Sequence, residues 1–101
     1  MIILLASMKA KPGQGEALET LLRSLIPRVQ QEDGVVNYIL HRHLEEKERF
    51  FFYERYATRA VYDAHMKTAY LREVLAKAQT LLNEPGTVEL FEDLAETAPQ
   101  G

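Results

Sequence analysis

Three clusters of residues in this chain have the types and spacing to do chemistry. The first is Glu54-Arg55-Tyr56, at the end of the run Arg49-Phe-Phe-Phe-Tyr53. Side chains alternate along a strand, so Phe50, Phe52, Glu54 and Tyr56 share one side while Phe51 and Tyr53 share the other. A carboxylate that follows two buried phenylalanines is costly if left charged and unpaired, so it must be paired, protonated or near a rim. It then acts as a proton acceptor or as the orienter of a neighbouring imidazole, or it is a structural carboxylate bonded to a helix N-terminus or an arginine. The second is His65, four residues after Val61 on the apolar side of a short helix. That position suits a buried core histidine and also a base poised near neutral pH, one segment after Glu54. The third is a strand on which Asn37, Ile39, His41 and His43 share one face and Tyr38, Leu40 and Arg42 the other. His41-x-His43 has the spacing of a metal pair, but two imidazoles without carboxylate or cysteine neighbours make a weak ligand set. A solvated or interfacial pair of histidines is the simpler reading. Asn37 either hydrogen-bonds a ligand carbonyl or satisfies backbone near the start of its strand.

The absences narrow the chemistry. The chain has no Gly-x-Gly-x-x-Gly loop, no Gly-Lys-Ser/Thr phosphate loop and no Gly-x-Ser-x-Gly elbow. Gln14-Gly15 after Pro12-Gly13 starts a helix and does not cradle a phosphate. With no cysteine, disulfides, thiolate nucleophiles and iron–sulfur ligation drop out together. No cofactor and no metal are expected, so a reaction would run on side chains and substrate alone. A net charge of -3 leaves no electrostatic footprint for nucleic acid or anionic lipid. The apolar start, Ile2 to Ala6, is too short for a signal-peptide core or a membrane span, and a cytoplasmic protein is expected.

The elements that position these residues follow from periodicity. Ile2 to Met8 reads as a strand, ended by Lys11-Pro12-Gly13. Leu18, Leu21, Leu22, Leu25, Ile26 and Val29 then recur at helical spacing, with Pro27 placed to kink or break the last turn. Val35 to Leu44 is a second strand, Glu45 to Glu48 a charged hairpin connection, and Arg49 to Ala57 a third strand. Thr58 is placed to cap a short helix carrying Val61, Tyr62, His65 and Met66. A further helical stretch carries Leu71, Val74, Leu75, Ala78, Leu81 and Leu82, and Pro85-Gly86 stops it before a last strand, Thr87 to Leu94. The order βαββαβ predicts an α+β, ferredoxin-like sheet with the third strand between the first and second, and the fourth beside the first. Strands one and three, apolar on both sides, are then central. A chain of 101 residues has helix enough to cover one sheet face only, so the open face is expected to meet a second copy in a homodimer.

Taken together, these segments resemble a known family. The opening strand, Lys9-Ala10-Lys11-Pro12-Gly13 before a long helix, Glu32-Asp33-Gly34-Val35-Val36-Asn37-Tyr38, Tyr53-Glu54-Arg55-Tyr56-Ala57 and Ala64-His65-Met66 are similar to the antibiotic biosynthesis monooxygenase domain. The similarity covers residues 1–95, leaving 96–101 as a loose C-terminal tail. It implies a dimeric α+β barrel with a small apolar pocket between sheet and helices, and cofactor-independent monooxygenation of a small phenolic or quinol-type substrate by O₂. In that scheme His65 is the base, Glu54 holds its tautomer, Asn37 and Tyr56 bind substrate oxygens, and Tyr70 and Phe52 form walls. A cofactor-free isomerase and a non-catalytic dimeric binding or stress protein are the alternatives on the same fold. Two positions depart from the family pattern: Tyr56 stands where members usually carry tryptophan, and Tyr70 where many carry a second histidine. The haem-degrading branch uses an asparagine, a tryptophan and a later histidine; here Ser7, Tyr56 and Leu75 stand near those places, which disfavours haem degradation.

Overall fold

The computed structural model describes residues 1–100. Its elements run β1 (Ile2–Lys9), α1 (Gly15–Arg23), α2 (Leu25–Val29), β2 (Val35–Arg42), β3 (Arg49–Tyr56), α3 (Arg59–Met66), α4 (Ala69–Gln79) and β4 (Thr87–Glu92). The four strands form one open sheet in the order β2-β3-β1-β4, with every neighbouring pair antiparallel. This is the predicted ferredoxin-like topology, with the two doubly apolar strands at its centre.

Of the two outcomes expected at Pro27, a kink or a break, the structure shows a break. The proline ring clashes with the carbonyl four residues earlier, at Arg23, and α1 ends at that residue. Ser24 bridges the two helices, its N–H donating to the carbonyls of Thr20 and Leu21. Pro27 then falls within the first turn of α2, where a missing N–H does no harm. Thr58 caps α3 as expected, its Oγ1 accepting from the Val61 N–H at 3.2 Å. Gly34 joins the two halves of the site. It adopts φ +86°, and a Cβ there would lie 2.6 Å from Val61 Cγ2, so only glycine lets α3 close onto the start of β2.

Leu4, Ala6, Phe50, Phe52 and Tyr56 on the covered side of the sheet pack with Leu18, Leu22, Leu25, Val29, Leu71 and Ala78 from the helices. The other side stays open. On it the register aligns Ile3 with Arg55 and Phe91, and Leu5 with Tyr53 and Glu89. It also aligns Asn37 with Arg55, Ile39 with Tyr53 and His41 with Phe51. Ile39 and Phe91 are 43% and 47% exposed there.

Candidate functional site

Two buried polar residues lie among the apolar side chains of the covered face: Glu54, 4% exposed, and His65, 1% exposed. Their places follow from the two periodicities. Glu54 continues the Phe50–Phe52 side of β3, aligned between Leu4 of β1 and Tyr38 of β2. His65 sits one turn after Val61 on α3, the helix that Thr58 starts. Glu54 and His65 both line a cavity of about 50 Å³, together with Leu4, Met8, Tyr38, Phe52, Met66 and Leu71. The sequence thus brings Glu54, His65 and Phe52 to one place.

The side chain that holds the imidazole is Glu32. Both its carboxylate oxygens accept from His65 Nδ1–H, at 3.0 and 3.1 Å. Glu32 stands in the turn after α2, its N–H donating to the Val29 carbonyl at 2.9 Å. A carboxylate can only accept, so it fixes the imidazole proton on Nδ1 and leaves the Nε2 lone pair free as a base. The tyrosine rings of Tyr38 and Tyr56 flank the imidazole, each with its centroid 5.3 Å away, and hold its plane.

Glu54 is engaged differently. Tyr56 O–H donates a hydrogen bond to its Oε1. Burial pushes the Glu54 carboxyl up from 4.5 to about 7; the Tyr56 hydrogen bond opposes this rise, and the nearby Glu32 charge adds to it. Burial, and then the Glu54 charge, hold the phenols of Tyr38 and Tyr56 well above the usual tyrosine range. Both phenols therefore remain protonated at neutral pH, while Glu54 exchanges its proton there. A carboxyl that changes state near neutrality beside an oriented imidazole is an arrangement suited to proton transfer.

Two further residues singled out from the sequence lie elsewhere. Asn37 is on the open face, aligned with Arg55, and Tyr38 faces the cavity. A β-bulge between Val35 and Asn37 sets this parity. In a regular strand Asn37 would share the side of Val35, which aligns with Tyr56; the extra residue, Val36, turns Asn37 away. Tyr70 lies on α4 with the Arg28 guanidinium 5.0 Å from its ring centroid, and its buried hydroxyl has no hydrogen-bond partner among the described residues. It does not line the His65 cavity. His43 has a local role, its Nδ1 accepting from the N–H groups of Glu45 and Glu46 in the hairpin connection. His41 Nδ1 lies 3.3 Å from the Phe51 carbonyl.

Glu32 and Tyr38 are the members that sequence reasoning missed as site residues. Glu32 lies in a turn, where no periodicity reports direction. Its one signal is its place in the Glu32-Asp33-Gly34 segment, whose glycine brings α3 alongside.

Comparison with known proteins agrees with this architecture. The family model described as antibiotic biosynthesis monooxygenase matches residues 1–77. A Bacillus subtilis protein named "Putative monooxygenase YcnE" is 31% identical over 85 residues, covering 84% of this chain and 90% of that protein. The Synechocystis protein sll1783 is 29% identical over 96 residues; the match takes in 95% of this chain but only 65% of that longer relative. Among solved structures, protein SO0527 from Shewanella oneidensis superposes with a TM-score of 0.84 at 31% identity, over 89% of this chain and 87% of that one.

Proposed function

The chain belongs to the antibiotic biosynthesis monooxygenase family, and on that premise we propose that it oxygenates a small phenolic or quinol-type substrate with O₂ and no cofactor. The observation that carries this reading is the Glu32–His65 pair at the wall of an apolar cavity. A neutral phenol reacts slowly with O₂; its anion is electron-rich enough to pass electrons directly. His65 Nε2 takes the phenolic proton, and Glu32 stabilises the imidazolium that forms. One oxygen atom enters the ring at a C–H carbon and the other leaves as water. The substrate supplies all four electrons as it becomes a quinone, so no outside reductant is required. Glu54, titrating near 7 in the same cavity, returns a proton to the reduced oxygen. Tyr38, kept protonated and lining the cavity, supplies a donor for developing negative charge, while the one O–H of Tyr56 is held by Glu54.

A cavity of about 50 Å³ has room for O₂ but not for an aromatic ring, given that a water molecule takes roughly 30 Å³. The ring must open space for itself. Met8 and Met66, unbranched and readily repacked, line the cavity where this would occur.

The same reading seats a second copy on the open sheet face, where Ile39 and Phe91 are left to solvent in the single chain, and so forms a dimeric barrel. No helix among the described residues is long and apolar enough to cross a membrane, and we place the protein in the cytoplasm.

The test is oxygen uptake by metal-stripped protein with a panel of hydroquinones, naphthols and anthrones, beside His65→Ala and enzyme-free controls. Uptake above autoxidation that is lost in His65→Ala is the expected result. Ligand binding without uptake in either protein would discard the oxygenase in favour of an isomerase or a binding protein.

A further inference from the structure

Tyr38 borders two cavities. Besides the one at His65, it lines a larger cleft of about 320 Å³ between the α1–α2 corner and the β2 edge, whose walls include Glu19, Arg23, Ile26, Arg42 and Phe50. That volume is within the range of small-molecule sites, roughly 300–1,000 Å³. Its lining is apolar at Ile26, Leu40 and Phe50 and charged at Glu19, Arg23 and Arg42. Glu19 Oε2 accepts from Arg23 Nε at 2.7 Å, and Glu19 Oε1 accepts from Arg42 Nη1 at 2.6 Å. One carboxylate thus serves two guanidiniums, leaving one positive charge unmatched. Arg23 is held by Nε and Arg42 by one Nη, so their remaining N–H groups have no partner among the described residues. Glu19 restrains both forks, whose side chains are 71% and 48% exposed, and so lowers the cost of ordering them on an incoming anion. The Arg23 hydrogen bond, foremost, holds the Glu19 carboxyl below its usual range, so the arrangement persists into mild acid.

We propose that this cleft receives the anionic group of the substrate, which is then a hydroxyaromatic acid: its carboxylate sits on Arg23 and Arg42, and its ring lies against Tyr38 on the way to the His65 cavity. The fate of the ring rests on the oxygenase reading above; the binding does not. Tyr38 is the residue common to both linings, and its ring stands beside Phe52 and His65, with centroids 5.0 and 5.3 Å away. A substrate with a hydroxyl at one end and a carboxylate at the other would use both.

The experiment is isothermal titration of the intact protein with 6-hydroxy-2-naphthoate and with its neutral carboxamide, in wild type, Arg42→Gln, Arg23→Gln and the double variant. The acid is expected to bind about three- to tenfold more tightly than the amide, as suits solvent-accessible guanidinium contacts. Added salt should shrink that preference, and the double variant should lose it without a change in melting temperature. Equal affinities, no binding of either probe, or a preference that survives in the double variant would overturn the assignment. Binding is read without turnover. An acid preference in a protein that consumes no oxygen would therefore keep the cleft and discard the oxygenase, whereas uptake of neutral phenols alone would do the reverse.

Discussion

Glu32 and Glu54 are the same side chain in two settings, and the contrast lies in what each is bonded to. Glu32 stands on a turn, 18% exposed, with both oxygens on an imidazole N–H. Glu54 stands on a central strand, 4% exposed, and its hydrogen-bond partner is a phenol. An imidazole can accept a proton and become the cation that a carboxylate favours, so Glu32 supports charge at His65. A phenol held above its usual range cannot, so Glu54 bears its own burial and shifts to about 7. One carboxylate orients; the other stores a proton. The polar partner decides the role more than the residue type does.

The sharpest way to break this contrast is to remove the group that Glu32 serves. His65→Ala should lower oxygen uptake by about 10²-fold or more, the usual scale for a lost general base. If uptake persists, the base is Glu54 and the roles are reversed. The next largest effect is on stability. The folded pKa of Glu54 is raised, so the folded state keeps a proton that the unfolded chain releases as pH climbs from 4.5 towards 7. The burden is absent below 4.5, grows across that window and is complete above about 7, where it reaches about 3 kcal/mol. Glu54→Gln should therefore match wild type at pH 4 and be more stable by up to about 3 kcal/mol at pH 8, measured by urea unfolding. An equal difference at both pH values would show that Glu54 is not held protonated. Glu32→Ala should act in the other direction, costing about 2 kcal/mol by leaving the buried Nδ1–H without an acceptor. It should also reduce turnover about tenfold, with little change in KM. The smallest effect is expected of Tyr56→Phe, about 1 kcal/mol at pH 8. That loss should fade by pH 5, where Glu54 is protonated and no longer needs the donor as a carboxylate does.

Much of this architecture is legible in the amino-acid sequence. The βαββαβ order puts β1 and β3 at the centre of the sheet, and their being apolar on both sides agrees with that place. Glu54 and His65 are legible because each continues an apolar periodicity that it interrupts chemically. Asn37 is not, because the bulge at Val36 inverts the side on which it emerges, and a bulge leaves little trace in a run of alternating residues. Glu32 is not legible as a partner of His65, since the contact joins residues 33 apart through a turn. The break at Ser24 is half legible: Pro27 announces it, but the proline acts on the carbonyl of Arg23, one turn earlier.

The most direct test of the central claim, that Glu32 sets His65 up as a base at Nε2, is the imidazole tautomer. Two-dimensional ¹H–¹⁵N spectra of ¹⁵N-histidine-labelled protein at pH 8 distinguish the three histidines, with His65→Ala providing the assignment. His65 is expected to carry its proton at Nδ1 with Nε2 unprotonated, and Glu32→Ala is expected to abolish this bias. A His65 protonated at Nε2 in the wild-type protein, or a tautomer indifferent to Glu32, would contradict it.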